Sequence, residues 1–217
     1  SDRIIYVSFA QRAYWEKHGL RPNLGLVIQN GVDTEYFTNR YATEEIAVFR
    51  TRFGFSSDDF VVGICAALRP EKRHDDLIEA IAKLKSEKQH TKCLIIGDGS
   101  CRAAIEQIII DFQLEQDVVI AAFQADVRFF VAACDCMAIV SHEVETFSNA
   151  ALESMAMGKP MVMSDIGGAA EQVQDGVNGY LFPAGDVVAL TAALRKLADP
   201  DHCAQLGKAA RAIVERD

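Results

Sequence analysis

The run 'VVGICAAL' (residues 61–68) is a continuous apolar stretch, which is typical of a strand buried on both faces of a parallel sheet. Residues 74–88, 'HDDLIEAIAKLKSEK', follow it with apolar side chains at helical spacing. A second strand pattern, 'TKCLIIGDG' (91–99), comes next and ends in glycine. Because strands that alternate with helices form parallel βαβ units, this stretch predicts the fold class.

The alternation of strand and helix patterns continues to the end of the chain. Further strands are predicted at 117–123, 136–141, 160–165 and within 178–186. Further helices are predicted at 101–114, 125–134, about 148–157, 168–176 and in the closing segments 'VVALTAALRKLAD' and 'HCAQLGKAARAIVERD'. We therefore predict an α/β fold with a doubly wound, Rossmann-like parallel sheet, in which ligands bind beyond the carboxyl ends of the strands.

The residues before position 61 show a different pattern. 'SDRIIYVS' predicts a strand, 'AQRAYWEKHG' a helix, and 'LGLVIQNGVD' a strand that ends in an Asn-Gly turn. These residues are interpreted either as a linker or as the tail of a preceding domain. The chain opens without an initiator methionine and stops inside an amphipathic helix pattern, so we expect a piece of a longer polypeptide.

Composition restricts the classes of partner and the compartment. The chain has 22 basic and 31 acidic residues, and this net charge of −9 argues against a nucleic-acid binder held by a broad basic surface. No apolar run reaches the length of about 18 residues that a membrane-spanning helix needs. Several of the six cysteines lie inside apolar runs, which favours a reducing, cytoplasmic compartment. Cys134 and Cys136 form a C-x-C pair, but zinc would need two further ligands, and no metal site is predicted.

The loop 'GDGS' (97–100) follows a predicted strand and precedes a predicted helix. It begins like a dinucleotide fingerprint, but Arg102 stands where the third glycine is expected. A tight strand-to-helix turn is the simpler interpretation, and Gly97 also lets a ligand approach the backbone.

The loop 'LRPEKRH' (68–74) carries positive charge at the end of the first sheet strand. It places Arg69, Lys72 and Arg73 where a parallel sheet binds its ligands. Three cations at this position suit an anion such as a diphosphate. A solvated loop with ordinary surface charges remains the alternative.

The stretch 'HEVETFSNAALESMAMGKP' (142–160) carries two glutamates eight residues apart around a predicted helix start. Thr146 and Ser148 are both good N-caps, and the backbone N–H groups of residues 147–149 would then be free to bind phosphate. Pairing of carboxylates with the helix dipole is the alternative explanation, and it accounts poorly for Glu145, which precedes the helix. A carboxylate at that place can accept hydrogen bonds from two sugar hydroxyls.

Downstream, Gly167 and Gly168 permit close packing or backbone approach.

Taken together, the motifs resemble a known family. These motifs are 'VIQNGVDTEYF', 'LRPEKRHDDLIEA', 'LIIGDGS', 'ETFSNAALESMAMGKPMVMSDIGGAAEQV' and 'DGVNGYLFPAGD'. In this order they resemble the C-terminal half of family 4 retaining glycosyltransferases with the GT-B fold, from about residue 4 to the end. The resemblance implies an enzyme that transfers a hexosyl group from a nucleotide-diphosphate sugar to an acceptor hydroxyl, in the synthesis of a glycan, lipopolysaccharide or glycolipid. Transfer retains the anomeric configuration.

The resemblance also implies roles for individual residues. Glu145 and Glu153 match the two glutamates of the family's E-x7-E motif, Glu145 for the hydroxyls of the donor sugar and Glu153 for the ribose. Lys72 matches the lysine that neutralises the diphosphate. The backbone of Phe147, Ser148 and Asn149 would hold the phosphates or the sugar, and the loop 'FQADV' (123–127), with Phe123, Gln124 and Val127, would border the base.

The chain departs from the family pattern at three places. Ala67 stands where the family usually has an arginine, and Arg69 is the candidate replacement. The family's 'EGFG' is 'ETFS' here, which crowds the donor pocket. The N-terminal half, which would carry the acceptor site, is missing, so residues 1–37 are predicted to be its tail and a linker with the first strand of the C-terminal domain, and 38–217 the nucleotide-sugar-binding domain.

Several expectations follow for the whole protein. No cofactor or metal is expected, because cations would neutralise the diphosphate. We expect this chain alone to bind donor without turnover, and any membrane contact, at the inner face, to involve only the missing half. The alternatives are a non-catalytic nucleotide-sugar-binding domain or another GT-B enzyme, such as a sugar-nucleotide epimerase or a phosphorylase.

Overall fold

The structure, a computed structural model, describes residues 3–20, 24–143 and 145–216. The predicted segments also include residues 1–2, 21–23, Val144 and Asp217, which lie outside the described residues. No helix within the described ranges is both long enough and apolar enough to cross a membrane.

The described part of the chain contains eight strands and nine α-helices. The strands are β1 (Ile4–Tyr6), β2 (Gly25–Val27), β3 (Phe60–Cys65), β4 (Thr91–Ile96), β5 (Val118–Ala121), β6 (Cys136–Ile139), β7 (Met161–Ser164) and β8 (Gly179–Phe182). The helices are α1 (Phe9–Lys17), α2 (Thr43–Arg52), α3 (His74–Ser86), α4 (Arg102–Asp111), α5 (Arg128–Ala132), α6 (Asn149–Ala156), α7 (Ala169–Gln172), α8 (Val187–Leu197) and α9 (Pro200–Arg216). Every strand and helix predicted from residue 61 onward is present, most of them one to three residues shorter than predicted.

Six strands form one parallel sheet in the order β5-β4-β3-β6-β7-β8. Its strand order reverses between β3 and β6, which are neighbours in the sheet although β4 and β5 separate them along the chain. The loops that leave β3 and β6 therefore open a crevice between them at the carboxyl edge, where sheets of this kind bind ligands.

Both faces of the sheet are covered, which is why β3 is apolar throughout. Val62 and Ile64 belong to a buried cluster with the helices α3, α4 and α8. Val61 belongs to a second cluster, on the opposite face, with α5 and α6. A strand whose alternate side chains enter two cores must be apolar at every position, so the predicted doubly wound sheet is confirmed.

The N-terminal unit consists of β1, α1, β2 and the residues up to Asn30 that the structure describes. β1 and β2 pair in parallel as a separate two-stranded sheet, and α1 begins at Ser8, whose Oγ accepts a hydrogen bond from Gln11 N at 3.1 Å. The strand, helix and strand predicted for this segment are confirmed.

Helix α2 was not predicted from the sequence. Its packed face consists of Ile46, Phe49 and Phe53, and the two phenylalanine rings contact the α5 rings of Phe129 and Phe130. Arg50 attaches the helix as well, because its guanidinium donates to the carbonyl oxygen of Ala133 at 2.8 Å and pairs with Asp135 at 2.9 Å. A tertiary ion pair of this kind leaves no periodic signal in the sequence.

Candidate functional site

A lysine and a glutamate from different loops meet at the crevice between β3 and β6. Lys72 ends a 3-10 turn, Pro70–Lys72, just past β3. Its Nζ donates to Oε2 of Glu145 at 2.9 Å and to Oγ of Ser141 at 3.3 Å. The Ser141 hydroxyl donates to the same Glu145 oxygen at 3.1 Å. The two predicted residues are therefore brought together, and buried Ser141, which the sequence did not single out, joins them.

A small cavity of about 90 Å³ lies beside this ion pair. It is lined by the end of β3, the end of β6 and the start of α6, including Cys65, Ala66, Ser141, Ser148 and Ala150. The Lys72 and Glu145 side chains are 26% and 12% exposed, so the pair is partly shielded from water. Charges in such a place interact more strongly than surface charges.

Helix α6 points its N-terminus at the same crevice. Ser148 is the N-cap, and its Oγ accepts from Ala151 N at 3.3 Å, which selects it over Thr146 as the cap. Among the described residues, the backbone N–H groups of Asn149 and Ala150 have no acceptor. These groups and the helix dipole favour an anion at this place.

The expectation that the Ser148 backbone N–H is free was wrong. It donates to Oε1 of Gln172 at 2.8 Å, and the Gln172 side-chain amide donates back to the Ser148 carbonyl oxygen at 2.9 Å. Gln172 is 3% exposed and lies in α7, beyond the paired glycines. It therefore fixes the position of the α6 N-terminus, and only a long-range contact, invisible in the sequence pattern, identifies it.

Replacing Gln172 by leucine is expected to lower the free energy of unfolding by about 2–4 kcal/mol, because two buried backbone groups of Ser148 lose their partners. Denaturant unfolding measures this change. Gln107→Leu is the matched control, because Gln107 is exposed and its side-chain amide donates to Asp111, four residues on, so its substitution should change stability by no more than about 0.5 kcal/mol. Equal effects of the two substitutions would contradict the role of Gln172.

Gly167 and Gly168 let the loop after β7 touch the loop that carries Glu145. A Cβ built on Gly167 would lie 1.6 Å from the carbonyl oxygen of Glu145, and one on Gly168 would lie 2.0 Å from that of Thr146. Gly167 also has a φ of +56°, in the left-handed region. The close-packing interpretation of these glycines is confirmed.

Glu153 lies inside α6 and is half-buried. Burial raises the pKa of the Glu153 carboxyl above its ordinary value. Burial, and then the negative charge of Glu153, raise the pKa of the Cys65 thiol to about 11. Cys65 lines the small cavity, whereas Glu153 is not among its lining residues.

Only one of the three cations predicted in 'LRPEKRH' faces the crevice. The Arg73 guanidinium pairs with Asp75 and Asp76, each at 2.9 Å, so it is held by carboxylates of its own helix. Arg69 is exposed and does not line the cavity. For Arg73 the structure therefore favours the alternative of an ordinary charged loop residue, whereas the role of Arg69 stays a prediction.

His74, at the start of α3, is buried and neither ring nitrogen has a partner among the described residues. Burial, and then the charge of Lys72, lower the pKa of His74 to about 4. Because this pKa is below that of an unfolded histidine, His74 stabilises the fold above pH 6.5 and this contribution is lost as the pH falls towards 4.

Between pH 8 and pH 4.5 the wild-type chain should lose about 2–3 kcal/mol more stability than a His74→Leu variant. Urea unfolding at both pH values measures the difference, and taking it against the variant removes the effect of the carboxylates that titrate in the same range. Parallel losses in the two proteins would contradict the buried, neutral state of His74.

The predicted base-bordering loop follows β5. Phe123 is 76% exposed there, and Gln124 Nε2 donates to the carbonyl oxygen of Ala122 at 3.0 Å. Val127 is partly buried and packs against the core. Phe123 is thus the member of this loop whose ring is open to a partner.

Gly97 is explained by the fold itself. A Cβ at this position would lie 2.1 Å from the carbonyl oxygen of Ala66, because the loops after β3 and β4 pair through Leu68 N and Asp98 O at 3.0 Å. The close approach at Gly97 is therefore made by the chain's own backbone, which supports the tight-turn interpretation.

The C-x-C pair forms the connection from α5 to β6. All six cysteines are free thiols. Among the described residues, no group of three or more His, Cys, Asp or Glu side chains could hold a metal ion.

Comparison with known proteins decides the family. The model described as glycosyl transferases group 1 matches residues 46–213. The chain belongs to this family. This glycosyltransferase chain is 30% identical over 202 residues to the N-acetyl-alpha-D-glucosaminyl L-malate synthase of Bacillus anthracis, covering 92% of the chain and 51% of that enzyme. It is 31% identical to a GDP-mannose-dependent phosphatidylinositol monomannoside mannosyltransferase of Mycolicibacterium smegmatis, covering 83% of the chain and 49% of that enzyme.

Solved structures confirm the fold of this glycosyltransferase chain. Anabaena HepE, crystallised in complex with UDP and glucose, superposes with a TM-score of 0.91 at 30% identity, covering 100% of this chain and 59% of that one. The predicted Rossmann-like C-terminal half of a GT-B glycosyltransferase is thereby confirmed. The glycosyltransferase chain spans about half the length of the curated relatives that it matches.

Proposed function

We propose that this chain binds a nucleotide-diphosphate sugar at the crevice between β3 and β6, as the donor site of a retaining glycosyltransferase of family 4. The observation that carries the proposal is the contact of Lys72 with Glu145 at 2.9 Å, beside the N-terminus of α6. HepE, the similar structure, has been crystallised with UDP-glucose. A cation, a carboxylate and free helix amides at one place suit a ligand that has both phosphates and sugar hydroxyls.

The diphosphate is assigned to Lys72 and to the backbone N–H groups of Asn149 and Ala150. Positively charged and N–H donors that are already in place stabilise the charge that develops on the leaving phosphate, and each such donor can contribute about 2–4 kcal/mol. Ser148 contributes its hydroxyl as the helix cap, because its amide is bound to Gln172.

The two glutamates are assigned to hydroxyl groups. Glu145 accepts from the donor sugar once the diphosphate draws Lys72 towards it, since the carboxylate then has lone pairs to offer. Glu153, inside α6, accepts from the ribose. Phe123 borders the base, with Gln124 and Val127 behind it. Arg69, whose side chain is exposed, stands close enough in sequence to Lys72 to reach a phosphate after rearrangement.

The reaction we propose is transfer of a hexosyl group to an acceptor hydroxyl with retention of the anomeric configuration. The protein's own cation and helix amides carry the leaving-group charge, so the proposal invokes no cofactor or metal. Residues 38–217 form the donor domain, and residues 1–37 the tail of an N-terminal domain that supplies the acceptor site. We place the reaction in the cytoplasm, where the free cysteines stay reduced.

A thermal-shift panel tests donor binding by this chain. UDP, GDP and ADP, with their glucose or mannose conjugates, are compared with the corresponding nucleosides. At one hundred times its Kd, the right ligand stabilises the fold by about 2.7 kcal/mol, which raises Tm by roughly 5–10 °C for a chain of this size. If no diphosphate raises Tm at millimolar concentration, the donor site is refuted.

The stereochemistry of the product made by the full-length enzyme tests whether transfer retains the anomeric configuration.

A further inference from the structure

One carboxylate connects the N-terminal unit to the donor domain. Glu171 Oε2 accepts from Phe9 N at 2.9 Å, and Oε1 accepts from Ala10 N at 2.8 Å. Gln29 Nε2 also donates to Glu171 Oε2, at 2.9 Å. Glu171 thus caps the first turn of α1 across more than 160 residues of sequence, where a negative charge also complements the helix dipole.

The next residue on α7, Gln172, binds the N-terminus of a second helix, α6. Gln172 holds the N-cap residue of α6, Ser148, through two hydrogen bonds. Consecutive residues of one short helix therefore bind the start of α1 and the start of α6. α7 is the single element that both helix N-termini share as a hydrogen-bonding partner within the described residues.

Two more contacts join the same surfaces. Asn30 Nδ2 donates to the carbonyl oxygen of Phe147 at 3.0 Å. A Cβ on Gly168 would lie 2.9 Å from Cβ of Ser8, which is fully buried. The loop that carries Glu145 therefore packs between α7 and the N-terminal unit.

We propose that Glu171 is a positioning residue that couples the N-terminal unit to the donor site through α7. It touches neither donor nor acceptor. It sets the placement of α1 relative to the α6 N-terminus, so donor binding and docking of the N-terminal unit stabilise one another. The part that concerns ligand rests on the proposed donor function, whereas the coupling of α1 to α6 rests on the contacts alone.

Coupling between two sites is reciprocal, and this gives a measurable signature. In the wild-type chain, saturating UDP, GDP or ADP should slow amide hydrogen exchange at Ser148 and Ala151, beside the ligand. It should also slow exchange at Phe9 and Ala10, whose acceptors belong to Glu171, by at least about fivefold, the lower end of ordinary coupling. A cap that is only structural would leave Phe9 and Ala10 unchanged by nucleotide.

The variants Glu171→Ala and Glu171→Gln test the same coupling without ligand. Exchange at Phe9 and Ala10 should rise in both, and more in the alanine variant, because glutamine keeps one acceptor oxygen. Amide exchange at Ser148 and Ala151 should rise in the same variants, by at least about fivefold relative to the wild type. Glu115→Gln is the matched control, since Glu115 is exposed. Its neutralisation should leave amide exchange unchanged both at Phe9 and Ala10 and at Ser148 and Ala151.

The outcomes separate this proposal from the donor site. If no nucleotide protects Ser148 and Ala151, the donor site fails, but the Glu171 variants still test the coupling. If nucleotide protects Ser148 and Ala151 yet leaves Phe9 and Ala10 unchanged in the wild type, the coupling is refuted and the donor site stands. Normal exchange at Ser148 and Ala151 in Glu171→Gln, a variant that keeps the fold, also refutes it.

Discussion

Replacing Lys72 by methionine is expected to lower kcat of the full-length glycosyltransferase about 10²–10³-fold, because removal of one preorganised donor to a developing anion has that effect in other enzymes. Steady-state kinetics with the donor identified by the thermal-shift panel measures the loss. Lys72→Arg keeps the charge and should recover part of the rate, although its planar guanidinium places that charge differently.

Two controls keep this result interpretable. Lys208→Met removes a lysine that is exposed on α9 and lines a separate cleft, of about 820 Å³, at the amino edge of the sheet, so kcat should not change. A thermal unfolding curve for Lys72→Met shows whether Glu145, which is only 12% exposed, tolerates the loss of its cation. A folded Lys72→Met enzyme with wild-type kcat would contradict the role of Lys72.

Gly167→Ala is expected to destabilise the fold strongly, because a Cβ at Gly167 makes the shortest approach of any added to a glycine of the chain. The new Cβ would overlap the Glu145 carbonyl oxygen at 1.6 Å, and the φ of +56° adds backbone strain. Together these terms should lower the free energy of unfolding by about 2–5 kcal/mol. Nucleotide affinity should fall at least about tenfold, because relief of the overlap displaces the loop that carries Glu145.

Gly176→Ala separates backbone strain from overlap. Gly176 has a φ of +74°, but a Cβ there would meet no atom within 4 Å, so only the strain of about 1–2 kcal/mol remains. Denaturant unfolding and nucleotide titration of the two variants give the comparison. Equal losses of stability, with nucleotide affinity unchanged in both, would contradict the packing of Gly167 on the Glu145 loop.

Much of the sheet could be predicted because a strand that is buried on both faces has a continuous apolar sequence. β3 must be apolar at successive positions, since Val61 and Val62 enter different cores. Helix α3 carries the stripe that one core requires. Helix α2 was missed because its apolar face is short, with Ile46, Phe49 and Phe53 alone, and because the Arg50–Asp135 ion pair that also attaches it joins residues 85 apart in sequence.

The candidate site was predictable where a charged residue lies in a loop that follows a strand of the parallel sheet. Lys72 and Glu145 follow strands that meet at the reversal of strand order, so proximity follows from topology. The direction of a side chain does not follow from topology. The sequence therefore did not reveal that the Arg73 guanidinium turns back to pair with Asp76. Gln172 was missed for the same reason, since its contact with Ser148 depends on how α7 packs.

The proposed roles of Lys72, Glu145 and the α6 amides all depend on where the diphosphate binds. NMR of the backbone amides and lysine side chains, with this chain titrated with the active nucleoside diphosphate and with the nucleoside alone, locates that position directly. We expect saturable shifts of the Asn149 and Ala150 amides and of the Lys72 side chain with the diphosphate, and no such shifts with the nucleoside. Saturable shifts confined to the cleft around Lys159 and Lys208, at the opposite edge of the sheet, would contradict these roles.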